Sequence, residues 1–190
     1  MRCFGEGDPL YADYHDREWG RPVTDERGLF ERLCLEAFQS GLSWAIVLRK
    51  RSSIRAAFRN FDPNEIARFG DADIERLLSD PGVIRNRAKI EAAIVNARAT
   101  IDLRERQTPL EALVWSFRPP VRAAPRSFSA VPAFTQESKE LTKGLKKAGF
   151  RFVGPTTAYA TMQAAGLVND HLAGCMVREE VASDQAAVRL

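Results

Sequence analysis

The chain has 190 residues, 45% of them hydrophobic, with a formal net charge of +3; that suits one domain with a sizeable core, and the mild basic excess permits a polyanionic partner without identifying one. No apolar run approaches the ~20 residues needed to span a bilayer, and the N-terminus lacks the basic, apolar and small-residue regions of a signal peptide, so the expectation is a cytoplasmic protein with no membrane partner. Three cysteines argue against a disulfide framework and leave metal binding or burial as their uses.

From Cys3 to Pro9 the chain is turn-rich, and the stretch from Tyr11 to Gly20 carries no clear helical stripe. Its interleaved aromatic and polar residues, among them Tyr14, His15 and Trp19, have the look of a site wall. Thr24 or Asp25 can cap the next helix, in which Phe30, Leu33, Cys34, Ala37 and Phe38 recur at i, i+3, i+4, i+7 and i+8. Glu36 falls beside that stripe. Gly41 is the residue type that closes a helix in a left-handed conformation, and Ser43 can cap a new helix beginning at Trp44. Glu36, Leu42 and Trp44 can then face one cleft. The same residues also allow a plainer reading, with Glu36 paired to Arg32 on a wet surface and Trp44 packed in the core. The helix from Trp44 to Phe58 has Arg49, Lys50, Arg51, Arg55 and Arg59 expected toward solvent.

Asp62-Pro63-Asn64-Glu65 reads as an N-cap, a proline at the first helical position and a glutamate three residues past the cap, so a short helix through Phe69 is expected. Asp71 or Asp73 opens another through Leu78. Asp80-Pro81-Gly82-Val83-Ile84-Arg85 is then a tight turn into a long helix with Ile90, Ile94, Ala97 and Ile101 in helical period. This succession has the shape of a helix-hairpin-helix. Pro109 opens one more helix, and Pro119, Pro120, Pro125 and Pro132 make residues 118–134 a surface loop. A basic helix from about Gln136 to Ala148 follows, closed by Gly149, with Lys139, Lys143, Lys146 and Lys147 as a solvated face. Thr156 or Thr157 caps the next helix, which ends near Gly166. Beyond Arg178 no pattern demands order. With no repeat and no strand alternation, the fold class is all-α: one helical domain over residues 1–178, and a flexible tail over 179–190.

His171 and Cys175 stand four apart, which on a helix places both on one face. Cys3 and His15 could complete a tetrahedral set suited to zinc. By spacing alone, two satisfied histidines and two free thiols remain the alternative. Cys34, on the buried stripe, reads as a packing residue.

The wording CLEAFQSGLSW, together with DPLYADYHDREWG, FDPNEIARF, GVIRNRAKIEAAIVNARA and FRFVGPTTAYATMQAAGLVNDH, is similar to the DNA-3-methyladenine glycosylase I family along nearly the whole chain. The resemblance implies a helix-hairpin-helix DNA glycosylase fold, with one structural zinc joining the terminal segments through Cys3, His15, His171 and Cys175. It implies a monofunctional base-excision repair hydrolase that flips 3-methyladenine out of alkylated double-stranded DNA. On that pattern Glu36 is the pocket acid, and Tyr14, Trp19 and Trp44 are its aromatic partners. Leu42 becomes the candidate wedge in the vacated stack. Gly82 and Val83 offer backbone amides to a phosphate, aided by Arg85, Arg87 and Lys89. A monomer is expected. Two departures stand out. Relatives usually carry a tryptophan shortly after the first cysteine, where this chain has Phe4-Gly5 in a segment one residue shorter. Asn86 occupies the position at which lyase-type glycosylases place a lysine, which argues against a Schiff-base step.

Two other classes compete. A non-catalytic zinc-stabilised DNA-binding module would use the hairpin and basic helices but has no need of a carboxylate near its cleft. A helical scaffold for protein partners would leave Tyr14, Trp19 and Trp44 as ordinary core and show no salt-dependent DNA affinity.

Overall fold

The computed structural model describes residues 1–189. Among these, regular structure is entirely helical: α1 Pro9–Arg17, α2 Glu26–Gln39, α3 Trp44–Ala57, α4 Pro63–Ile66, α5 Asp71–Ser79, α6 Arg87–Glu105, α7 Leu110–Trp115, α8 Gln136–Lys147, α9 Pro155–Ala164 and α10 Arg178–Ala187, with short 3-10 turns at Arg59–Phe61 and Phe128–Ala130. No helix among the described residues is long and apolar enough to cross a membrane.

Helix α2 is the centre. It packs against α3, α6, α7 and α9, and so it is buried well beyond the single stripe its sequence shows. Nine of the ten positions from Leu29 to Phe38, all but Glu31, are buried. Asp25 accepts from the Gly28 amide at 2.8 Å and is the cap that starts it. At the far end Gly41 adopts φ 80°, the left-handed geometry that lets the chain leave α2 and enter α3 after two further residues. Ser43 occupies the cap position of α3 without a side-chain cap bond.

Helix α1 departs from the sequence reading. Asp8 accepts from the amides of Leu10 and Tyr11, and Pro9 fills the first turn. Helix α4 has the expected Asp62 cap but stops at Ile66, short of Phe69. Helix α9 begins at Pro155 behind Gly154 as cap, so neither Thr156 nor Thr157 has that role.

Asp80 to Asn86 joins α5 to α6. Asp80 accepts from the Gly82 amide at 2.7 Å, and the Asn86 side chain accepts from the Lys89 amide to cap α6. A Cβ at Gly82 would meet Ser53 and Asp80 at 2.9 Å, so this turn approaches α3 as only glycine allows. The Lys50 ammonium ties the same side of α3 to the Pro81 carbonyl.

Arg51 is the exception on the basic face of α3. It is buried, with Nε on Glu31 at 2.9 Å and Nη1 on Glu18 at 2.6 Å, while Arg32 donates to Glu18 at 2.9 Å. This network joins α2 and α3 to the segment after α1. The expected tail is also corrected over residues 179–187, where α10 is ordered. Val181 is fully buried, and the Gln185 amide donates to the carbonyls of Gly20 and Val168. A 10-residue helix with one core valine and one buried amide presents too sparse a pattern to read. Leu190 lies outside the described residues.

Candidate active site

A cleft of about 340 Å³ opens where α1, α2, α3 and α9 meet the proline-rich loop, within the size range of ligand pockets. Glu36 lines it from α2, Trp44 from the start of α3, and Tyr14 and Trp19 from α1 and the segment after it. These four expected residues are therefore brought together. The Tyr14 and Trp44 rings lie 5.1 Å apart at a 44° tilt.

Phe4, Tyr11, Gln39, Phe128, Val131, Ala160 and Gln163, none of them named as a site residue from the sequence, complete the lining. Phe4 stands 5.0 Å from both Tyr11 and Trp19 and 6.1 Å from Phe128. The departure at Phe4-Gly5 thus still supplies an aromatic wall, and Phe128 from the loop meets it. Proximity across more than 100 residues leaves no local pattern, so Phe128 and Gln163 carried no signal in the sequence.

Glu36 is only 6% exposed. Burial pushes its carboxyl up to about 8, with the Arg32 charge one turn away opposing. The surface pairing of Glu36 with Arg32 does not form, because Arg32 is turned to Glu18. The Trp44 indole Nε1 is buried and has no hydrogen-bond partner. An acid that favours its neutral form and a donor left unpaired are both costly in a core and are common marks of a ligand site. Burial likewise raises the Tyr14 hydroxyl, with the Glu36 charge adding to it. Chemically, this is a slot for a flat ring, with a hydrogen-bonding acid at its base.

Leu42 projects at the α2–α3 break with 38% exposure. Arg85 is exposed in the turn before α6. The other hairpin residues do different work from that expected. The side chain of Val83 is core, and its amide, like that of Gly82, is directed at Asp80. Arg87 pairs with Glu75 at 2.5 Å and Glu91 at 3.7 Å. Lys89 is a correction: its ammonium turns inward and donates to the carbonyls of Phe38 at 2.9 Å and Ser40 at 2.5 Å. Those are orphan acceptors at the C-terminus of α2, and burial lowers the lysine accordingly.

Cys3, His15, His171 and Cys175 converge beside the cleft, with one ligand atom from each all within 4.8 Å of one another. Cys175 Sγ lies 3.4 Å from His15 Nε2 and 3.3 Å from His171 Nδ1, and Cys3 Sγ lies 3.6 Å from His171 Nδ1. A tetrahedral zinc with thiolate and imidazole ligands has ligand–ligand edges of roughly 3.3–3.8 Å. Each imidazole is also oriented from behind, His15 Nδ1 by Asp16 at 2.8 Å and His171 Nε2 by the Trp19 carbonyl at 2.9 Å, the usual outer shell of metal-binding histidines. The Leu172 amide donates to Cys3 Sγ at 3.1 Å. The donor set fits a metal ion. One premise fails, however: residues 171–175 are a turn, with Cys175 donating to Leu172 at 2.8 Å, and not a helix. The i, i+4 spacing works because the turn folds the two side chains inward. Cys34 is fully buried in α2, and burial raises its thiol.

A second cavity of about 110 Å³ lies between the proline-rich loop and α10. Arg118 there donates to the Gln185 carbonyl and Arg178 to that of Asn169, so these two cations serve the backbone.

The chain is similar to known proteins along nearly its whole length. The family model described as methyladenine glycosylase matches residues 4–179. DNA-3-methyladenine glycosylase 1 of Escherichia coli (strain K12) is 51% identical over 171 residues, covering 88% of this chain and 91% of that one. A crystal structure of 3-methyladenine DNA glycosylase I superposes with a TM-score of 0.90 at 49% identity, over 93% of this chain and 98% of that one. A point variant of 3-methyladenine DNA glycosylase I, solved in complex with 3-methyladenine, gives a TM-score of 0.88 at 32% identity, over 93% and 96% of the two chains.

Proposed function

This chain belongs to the methyladenine glycosylase family, and on that premise we propose that it flips 3-methyladenine out of alkylated duplex DNA and hydrolyses its N-glycosidic bond, with no lyase step. The observation that carries the reading is the buried Glu36 carboxyl inside a cleft walled by Tyr14, Trp19 and Trp44. Base chemistry requires the base outside the stack, and an aromatic slot with hydrogen-bonding groups is the physical means of holding it there.

Glu36 accepts hydrogen bonds from the exocyclic amino group and ring edge of the base, and Trp44 stacks on its face. Methylation at N3 makes adenine cationic in DNA. The cation favours the ionised carboxylate opposite it, and the hydrogen bond becomes charge-assisted. When the bond to deoxyribose breaks, the purine takes the electron pair and leaves neutral, while water adds its oxygen to the sugar and loses a proton. A leaving group this good needs modest chemical help, so orientation and exclusion of water are the main work of the cleft.

Leu42 fills the space the base leaves. Arg85, exposed in the turn before α6, meets a phosphate, while Lys89 holds the loop that carries Leu42. The absence of a lyase step is supported by Asn86, whose side chain caps α6 where a lyase would need an amine. Cys3, His15, His171 and Cys175 would hold one structural zinc, since four protein ligands leave no open position. That ion supplies cross-linking, not reaction chemistry.

Incubation with methylated duplex DNA tests the reading. Free 3-methyladenine is expected in the supernatant, with strands intact until the abasic sites are cleaved by alkali. No released base, or direct strand scission by the protein, would refute it. A DNA-binding module without catalysis has no observation in its favour, because phosphate binding gives no use to a buried carboxyl.

A further inference from the structure

Phe152 combines three properties that do not normally coincide. Its backbone holds φ 57°, a conformation rare for an aromatic residue. Its side chain is 40% exposed. A buried polar residue from another element also fixes the segment: Asn96 of α6 donates through Nδ2 to the Arg151 carbonyl at 3.1 Å and accepts through Oδ1 from the Arg151 amide at 2.7 Å. An exposed apolar side chain alone is ordinary. A strained one, clamped in place from the core, is the kind of feature found where a ligand is met.

Its position says which ligand. The Lys89 ammonium lies 5.7 Å from the centroid of the Phe152 ring, and that ammonium also binds the carbonyls of Phe38 and Ser40. The ring therefore lies beside the ammonium that joins the first turn of α6 to the break that carries Leu42. Arg151, exposed beside it, adds a positive charge to the same edge.

We infer that Phe152 is a further DNA-contacting side chain, stacking on a base of the distorted duplex next to the vacated position while Arg151 meets an adjacent phosphate. The inference rests on the glycosylase reading and specifies the ligand as duplex opened at one nucleotide, not intact duplex. Bases offer a π-face whatever their sequence, so such a contact tolerates any neighbour. It would hold the opened duplex in place while the flipped base occupies the cleft.

The test uses the full chain and a duplex containing a tetrahydrofuran abasic analogue flanked by 2-aminopurine. Phe152→Gly removes the ring and accepts the left-handed backbone without strain, so loss of folding does not confuse the result. Affinity for this duplex should fall roughly 5- to 100-fold, as for loss of one base–aromatic stack, and quenching of the 2-aminopurine should disappear. Phe152→Tyr should restore both, and free 3-methyladenine should still bind the cleft of either variant. If the parent excises 3-methyladenine yet Phe152→Gly binds and quenches like the parent, this inference falls and the function stands. If the parent neither releases the base nor prefers the abasic duplex, both fall together.

Discussion

Glu36 makes the most exacting demand on the chain, since a carboxyl held at about 8 keeps its proton more tightly in the folded protein than in the unfolded one. Its contribution is fully present below the ordinary carboxyl value of 4.5, drains as pH rises, and is lost above about 8. Across that window the linkage amounts to about 3–5 kcal/mol. Glu36→Gln, which cannot ionise, should therefore gain stability relative to the parent between pH 5 and pH 8.5 in urea unfolding. Equal pH slopes in the two proteins would place the perturbed carboxyl elsewhere. The same variant should lose on the order of 10- to 1000-fold in base release, or about 1.4–4 kcal/mol of transition-state stabilisation, with binding to undamaged duplex nearly unchanged because phosphate contacts dominate it. A folded Glu36→Gln that excises 3-methyladenine at the parental rate would remove Glu36 from the site. At this scale Glu36 and Trp44 were legible together because they flank one helix break, whereas Tyr14 and Trp19 joined them only through the family resemblance. The sequence was silent on Arg51, whose charge reads as surface until Glu18 and Glu31 are seen to enclose it.

Helices were legible where a cap and an apolar stripe coincided, as at Asp25 and α2, and less so where one of them stood alone. Asp62-Pro63 and Asp8-Pro9 carry the same cap-then-proline signal, yet only the first is followed by a glutamate three residues past the cap. The stretch from Tyr11 to Gly20 hides its period because only Tyr14 and His15 of α1 are buried, the rest serving the cleft rim, the ion pairs and solvent. Lys89 illustrates the opposite error. Its place in a basic hairpin points to phosphate, but its ammonium closes the C-terminus of α2. Lys89→Met would leave the carbonyls of Phe38 and Ser40 without that donor, and should destabilise the fold by about 1–3 kcal/mol in urea unfolding. The dependence of DNA affinity on salt should keep its slope, whereas Arg85→Gln should flatten the slope by about one unit with little change in stability. A flattened slope in Lys89→Met would return that lysine to the DNA.

The whole molecule is closed by its two ends. Cys3 and His15 meet His171 and Cys175. Around them Arg21 pairs with Asp184 at 2.5 Å and Glu180 at 3.0 Å, while Gln185 holds Gly20. Val181 packs with Cys175 and Val177 in a small apolar cluster behind the four ligands. The Cys/His cluster also touches the cleft. His171 holds the Trp19 carbonyl, and its ring lies 4.7 Å from the indole, while the His15 ring lies 4.8 Å from Phe4. The four-residue Cys/His cluster and the pocket wall are thus mechanically joined, which no local stretch of sequence could reveal. Elemental analysis should find one zinc per chain. Zinc contributes ~10–16 kcal/mol to the smallest zinc modules; even a third of that, in a domain of this size, corresponds to a fall in Tm of roughly 7–20 °C on chelation. Because two pocket aromatics lean on the ligands, chelation should also weaken binding of free 3-methyladenine, read by tryptophan fluorescence below the new Tm. Cys175→Ser should reproduce both effects without chelator. A folded, active protein with well under one zinc, or a chelated protein with unchanged Tm and base affinity, would leave the two ends held by α10 and its ion pairs alone.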